Sequence, residues 1–461
     1  MTVRNRFRLE DVLQDNFAQI DSDVPPIRFL NHHRCHAISA AYPSPVDLDL
    51  VVTADLRGEV DATVVWEVGD GEVHRKKTFE WPNSLGSFFG AITEYLGFRA
   101  NNGEGKVMGL APYGESRPKF SDPLRQRLDF TADYDVMPLI EGARMEDYVA
   151  RLESWFGESR RSYGDPIEQH HKDIAAVAQT CLENVMENLV RRWMDEVDAD
   201  ALGLAGGVAL NCKMNKHIRE LDCVDSVFIQ PVAGDAGVAV GGALEPFGLT
   251  ETSPLDTVYM GPSFSTEEIR AVLEQNKLEY SEPDNLYQHV ARRVADGELV
   301  GWFQGSLEMG PRALGNRSIL ADPREEKSRD RVNKYVKHRE EWRPFAPSLK
   351  ESAASDYFKN ATKAPFMIQT FEVKYNEASN IPAVLHPEDN TARPQTVRED
   401  QNPRYHRLLS AFEDLTGVPV LLNTSFNDSG EPIVAQPREA IRDFFSMGLD
   451  CLVLEDLVVT K

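Results

Sequence analysis

Two sets of residues in this chain have the types and spacing to do chemistry. The first is spread over three segments: His32 and His36 in NHHRCHAISAAY, Asp55 at the end of DLDLVVTAD, and Asp235 in VAGDAGVAVGGAL. Histidines four apart share one face of a helix, and imidazoles with carboxylates make a transition-metal donor set. His33 then points elsewhere. The second set is dense. Residues 301–350 carry eleven basic residues against seven acidic ones, in a chain whose 50 Lys+Arg and 74 Asp+Glu give a net charge of −24. A cationic run in an acidic protein suits an anionic ligand. Within it, Arg312 and Arg317 stand among small residues (GPRALGNRS), where guanidinium and backbone can both approach a phosphate or carboxylate. Trp302, Phe303, Ile319, Leu320, Trp342 and Phe345 flank these charges as a core segment does, so the stretch Trp302–Pro347 reads as an anion pocket and not as a solvated face.

The elements around these residues suggest an α/β chain. Ile27–Leu30 (IRFL) reads as a short buried strand leading into a helix that bears His32 and His36. DLDLVVTAD is a strand ending at Asp55, at the carboxyl end where open α/β sheets place their sites. DATVVWEV is the next strand, and Gly86–Phe98 has helical spacing. NNGEGKVMGLAPYG reads as a glycine-rich loop carrying Glu104 and Lys106, and residues 115–165 as charged and irregular. Asp173–Val197 has one long apolar stripe and is a core helix.

Two strand–glycine–helix units follow. ALGLAGGVALNCKMNKHI places Gly206, Gly207 and Asn211 where backbone N–H groups could meet a phosphate, and SVFIQPVAGDAGVAVGGAL places Asp235 in the same way. Prolines 246, 254 and 262 then mark a connector, with a capping box of Ser265 and Glu268 opening a helix. A second domain begins near Asn285. PFMIQTFEVKY reads as extended, a loop carries Arg393, and a helix near Tyr405–Leu415 ends at Gly417. Val418–Asn423 is a strand. Pro437–Met447 is a helix with proline first and Gly448 just past its end, and CLVLEDLVV closes the chain as a strand.

Composition excludes several classes. A net charge of −24 disfavours nucleic acid and anionic membrane as partners, and no apolar window is long enough to span a bilayer. The first residues, MTVRNRFRLEDVLQDN, lack a signal-peptide pattern. Five dispersed cysteines without a CxxC pair fit reduced thiols, so the expected location is cytoplasmic.

NHHRCHAISA, GEGKVMGLAPYG, AGGVALN, PVAGDAGVAVGGAL, GWFQGSLEMGPRALGNRSILADPR, VKHREEWRPFAPS, ARPQTV and LLNTSFNDSGEPIV, in this order, resemble the NodU/CmcH O-carbamoyltransferase family. The resemblance implies an actin-like, metal-bearing domain over residues 1–250, a connector over 251–284 and a YrdC-like α/β domain over 285–461. The YrdC-like domain would join carbamoyl phosphate to ATP, giving carbamoyl-adenylate and pyrophosphate. The first domain would pass the carbamoyl group to the hydroxyl of a small molecule or saccharide.

The resemblance maps the adenylate pocket onto Arg312, Lys337, Arg343, Arg393 and Ser425, with Arg317, Ser318 and Asn427 nearby. It maps the metal ligands onto His32, His36, Asp55 and Asp235, with iron (Fe2+) as the metal. Mg2+ is expected with ATP, since pyrophosphate departure requires charge neutralisation. The sequence departs from the family in DLRGE, where glycine usually follows the aspartate and Leu56 and Arg57 stand here. It also lacks the family's opening strands, which a partner chain could supply. A subunit that only forms carbamoyl-adenylate, or that is not catalytic, with an impaired transfer domain, is the alternative reading.

Overall fold

A computed structural model describes residues 3–19, 24–142, 144–249, 254–340 and 342–461, so the opening of the expected connector, 251–253, lies outside the described residues. The first sheet has strands β1 (Leu50–Gly58), β2 (Asp61–Gly69), β3 (Glu72–Glu80), β4 (Ala201–Ala205) and β5 (Ser226–Ile229), in the order β3-β2-β1-β4-β5. β1–β3 form an antiparallel meander, and β4 and β5 add on parallel to β1. Side chains alternate across the pleat. Val51, Val64 and Trp66 join one core with Ala37, Ile38 and Ala40, whereas Leu50, Val52 and Val65 join a larger core with Phe88, Ile92 and Val185. Helices therefore cover both faces, as a buried parallel edge requires.

On one face the helix His32–Ala41 lies against Ala236–Leu244. Their small residues let the backbones touch: a Cβ at Gly241 would come within 1.8 Å of the Cys35 carbonyl oxygen. This close crossing sets the distance between the histidines and Asp235.

The second sheet comprises β6 (Val300–Phe303), β7 (Arg317–Ala321), β8 (Ala346–Lys350), β11 (Gln395–Val397), β12 (Val420–Ser425), β13 (Cys451–Leu454) and β14 (Leu457–Thr460). Their order is β11-β8-β12-β7-β6-β13-β14, and a separate two-stranded ladder pairs β9 (Phe371–Glu372) with β10 (Thr391–Ala392). Trp302, Phe303, Tyr405, Phe412, Phe426 and Phe444 fill the second core. The helix Thr266–Gln275, capped by Ser265 and Glu268 as expected, contributes Ile269 and Leu273 to that core.

Several sequence expectations are corrected. Ile27–Leu30 is not a strand; it runs partly exposed, and Leu30 lies beside Gly242 on a helix surface where no ladder is available. Glu104–Leu110 is a helix, because Glu104 at its first position and the apolar Val107, Met108 and Leu110 outweigh the glycines. Residues 115–165 hold the helices Pro118–Arg125, Met137–Ile140 and Met145–Phe156. PFMIQTFEVKY is strand only at Phe371–Glu372. CLVLEDLVV is a hairpin that turns at Glu455 (φ +52°) and Asp456. Gly448 is not a left-handed cap; a Cβ there would sit 2.8 Å from that of Tyr335, so the glycine serves a close approach.

Candidate functional site

The helix His32–Ala41 and β1 converge at the first candidate site. Asn31 caps the helix by accepting the Arg34 N–H, which fixes where His32 and His36 begin. The β1–β4 pairing runs to Thr53↔Ala205, and Asp55 follows where β1 bulges beyond it. His36 Nε2 lies 3.1 Å from Asp55 Oδ2 and 3.1 Å from His32 Nε2. His32 Nε2 lies 3.5 Å from the same carboxylate oxygen and 3.8 Å from Asp235 Oδ1. One donor atom from each of the four residues lies within 4.8 Å of the others. His33 is turned away, its Nδ1 2.9 Å from Thr53 Oγ1.

Burial alone would raise the Asp55 carboxyl, but hydrogen bonds from His32 and His36 outweigh it and hold the group well below the usual range. Burial and the neighbouring imidazoles bring His33 down to about 4, so it is a neutral packing residue. Two imidazole nitrogens and two carboxylates facing one point fit a divalent transition metal. His36 Nδ1 is buried without a partner, which leaves its ring committed to the cluster through Nε2. Arg57, one of the residues that departs from the family pattern, lies over the Trp81 ring and donates to the Glu59 carbonyl, away from these donors.

The second site is a cavity of about 250 Å³ between the two halves. Arg312, Arg339, Arg343 and Arg393 line it from the second half, while Gly105, Gly109, Cys212 and Lys213 close it from the first. Ser425, at the end of β12, also lines it. The Nε atoms of Arg312 and Arg393 are buried without partners. Burial, then the charge of Arg393, brings Arg312 down to about 9; burial, then Arg343, does the same to Arg339. Crowded, poorly compensated guanidiniums are an electrostatic strain that an anion relieves.

Of the predicted pocket residues, the structure brings Arg312, Arg343, Arg393 and Ser425 together. Lys337 stands behind the wall: its Nζ donates to Ser425 O (2.6 Å), Asn427 Oδ1 (2.7 Å) and Asn427 O (3.0 Å). Asn427 in turn donates to the Asp428 and Glu431 carbonyls, so both residues shape the loop after β12.

Arg317 is corrected from ligand to scaffold. Its fully buried guanidinium donates to the carbonyls of Gln304, Gly305, Asn316 and Pro262 and stacks 3.6 Å above the Phe303 ring. Ser318 is corrected likewise: its hydroxyl is buried and accepts the Gly315 N–H. Lys106 pairs with Glu340 at 3.2 Å across the halves and is absent from the cavity wall. Asn211 caps the helix Cys212–Arg219 and exchanges amide hydrogen bonds with Gln179, so its side chain is engaged in holding that helix. Gly206 and Gly207 pack on β1, and a Cβ at Gly207 would lie 3.1 Å from Asp55 Oδ1.

Sequence reading missed Arg339, Lys213, His386 and Glu308. Arg339 was legible inside the basic run. Glu308 is buried, and its Oε1 accepts N–H groups of Leu314 (2.6 Å), Arg317 (3.2 Å) and Asn316 (3.3 Å), which shapes the loop that carries Arg312. Lys213 and His386 join the halves, through Asp389 and the Gly109 carbonyl, and no local pattern announces that.

The chain is similar to known proteins over most of its length. The description "Carbamoyltransferase N-terminus" matches residues 5–244 and "Carbamoyltransferase C-terminus" matches residues 291–461. The nodulation protein NolNO of Sinorhizobium fredii is 38% identical over 98% of this chain and 66% of its own length. The 3'-hydroxymethylcephem-O-carbamoyltransferase of Amycolatopsis lactamdurans is 31% identical over 92% of this chain and 79% of its own length. The crystal structure of T. kodakarensis HypF aligns at a TM-score of 0.29 with 19% identity, over 51% of this chain and 38% of that one, too slight a likeness to carry an argument.

Proposed function

The chain belongs to the NodU/CmcH-type carbamoyltransferase family, and from that premise we propose that it is an ATP-dependent O-carbamoyltransferase with its two steps divided between the two sites. In the basic cavity, carbamoyl phosphate, water and ATP with Mg2+ give carbamoyl-adenylate, phosphate and pyrophosphate. At the His–Asp cluster the acceptor oxygen bonds the carbamoyl carbon, the bond to the adenylate oxygen breaks, and the hydroxyl proton passes to solvent. The observation that carries this reading is the set of four arginines around one small cavity, two of them with buried, unpartnered Nε atoms.

Each residue has a role. Arg312, Arg339, Arg343 and Arg393 hold phosphate oxygens and stabilise the charge on departing pyrophosphate, being in place before the reaction begins. Ser425 contacts the donor, and Lys337 positions Ser425. His32, His36, Asp55 and Asp235 would hold a divalent metal, which the family resemblance makes iron. Bound there, a divalent metal supplies Lewis-acid polarisation of a carbonyl or of the attacking oxygen. The proposed division is an actin-like part up to about residue 250 and a YrdC-like part that takes in the helix Thr266–Gln275, since that helix shares the second core.

Phosphorus NMR tests the first step. ATP should yield pyrophosphate only when carbamoyl phosphate is present; pyrophosphate formed equally without it would overturn the reading.

A further inference from the structure

The loop that carries Arg312, residues 304–316, joins β6 to its antiparallel neighbour β7. Its first limb is tied to the connector: the Leu307 N–H donates to the Pro262 carbonyl (2.9 Å) and the Met309 N–H to that of Val258 (2.7 Å). Between these two, the Glu308 side chain turns back across the loop. Its Oε1 accepts the N–H groups of Leu314 (2.6 Å), Arg317 (3.2 Å) and Asn316 (3.3 Å), while the Gly315 N–H goes to Ser318 Oγ (3.0 Å). Gly315 has φ +94°, a left-handed conformation that turns the amides on either side of it toward one point. Such a nest of amides suits an external anion; here the chain fills it with its own carboxyl group. Burial raises the Glu308 carboxyl, and these N–H groups oppose the rise.

The two limbs are therefore joined twice. At the base, the Gln304 N–H donates to the Asn316 carbonyl (3.0 Å); next to Arg312, Glu308 does the joining. What remains between the clamped points is the turn 309–313. Pro311, Arg312 and Ala313 line the basic cavity, whereas Glu308, 3% exposed, is not part of its wall. A guanidinium held in place before its ligand arrives loses little freedom on binding. We propose that Glu308 is a positioning residue for the anion cavity: it touches no ligand, and by clamping the turn 309–313 it holds the Arg312 guanidinium where a phosphate oxygen will meet it. This inference rests on the reading that Arg312 binds phosphate.

Calorimetric titration of the full chain with pyrophosphate, over a double-mutant cycle of Glu308→Gln and Arg312→Ala, tests it. A glutamine amide oxygen is a weaker acceptor than a carboxylate, so Glu308→Gln should weaken pyrophosphate about fivefold. It should change nothing further once Arg312→Ala has removed the group it positions. Charge alone predicts the opposite sign, since losing a negative group beside four arginines tightens an anion. Tyr259→Phe loosens the same limb without touching charge, because the Leu314 carbonyl loses one of its two donors, Tyr259 Oη and Gln395 Nε2. It should weaken pyrophosphate about twofold, again only while Arg312 is present, and it carries the cycle where Glu308→Gln does not fold. Pyrophosphate that binds as well or better in Glu308→Gln, or a weakening that persists in full beside Arg312→Ala, overturns the role of Glu308 and leaves the cavity reading standing. Affinity unchanged by Arg312→Ala itself sinks the cavity reading, and Glu308 is then left with nothing to position.

Discussion

In the His–Asp cluster two carboxylates and two imidazoles bring one donor atom each within 4.8 Å of one another. In the basic cavity four guanidiniums share one wall, with Glu340 3.9 Å from Arg343. The first site is built from groups that satisfy one another and need only a cation to complete them. The second gathers cations brought down to about 9 by burial and mutual repulsion, a strain that a bound anion would relieve. The cluster is made within one half of the chain. The cavity exists only where both halves meet, and its binding energy is therefore coupled to how they are joined.

Two arginines five positions apart, Arg312 in the loop before β7 and Arg317 at the first residue of β7, repeat the contrast. Arg317 spends its terminal nitrogens on four backbone carbonyls, whereas Arg312 lines the cavity. Arg317→Met should lower the stability of the fold by about 3–5 kcal/mol, since several buried carbonyls lose their donor; urea unfolding measures it. Loss of nucleotide binding with unchanged stability would place Arg317 back among the ligands. His36→Ala should weaken metal binding more than about 100-fold, read by metal analysis after dialysis, and leave pyrophosphate binding intact.

These contrasts also show what the sequence could and could not say. His32 and His36 were legible because helical geometry places i and i+4 together without any help from the tertiary fold. Asp55 was legible as a residue at a strand end, where α/β folds gather ligands, and Asp235 as one in the glycine-rich turn between a strand and a helix. The basic run announced a pocket, yet spacing could not separate Arg312 from Arg317, because β7 begins at Arg317 and turns it inward. The cavity's other wall, Lys213 with His386 and Gly109, comes from segments more than a hundred residues apart and left no local trace. The glycines of GEGKVMGL suggested a loop, but burial of Val107 and Leu110 against the long helix decided for a helix.

Smaller effects sharpen the contrast further. Burial, then Arg339 and Arg343, brings Lys337 down from 10.5 to about 7. An unfolded chain keeps that proton to higher pH, so between about pH 7 and 10 the unfolded state binds more protons and stability rises with pH. A phosphate in the cavity favours the charged ammonium, so pyrophosphate binding at pH 8 should take up a fraction of a proton. Calorimetry in two buffers of different ionisation enthalpy reads this, and no uptake would remove Lys337 from the electrostatics of the cavity. Ser425→Ala should have the least effect, a few-fold rise in KM for carbamoyl phosphate, since Lys337 keeps its bonds to the Ser425 carbonyl and to Asn427. A fall in stability in place of that rise would make Ser425 structural.

Carbamoyl-phosphate-dependent exchange of labelled pyrophosphate into ATP, measured side by side for the wild-type chain, Arg312→Ala and His36→Ala, tests the two-site account most directly. Exchange should fall by about 10²–10³ in Arg312→Ala, the cost of removing one preorganised donor to a developing negative charge, and should persist in His36→Ala. Exchange lost in both variants, or retained in both, would contradict the separation of adenylate formation from the metal cluster.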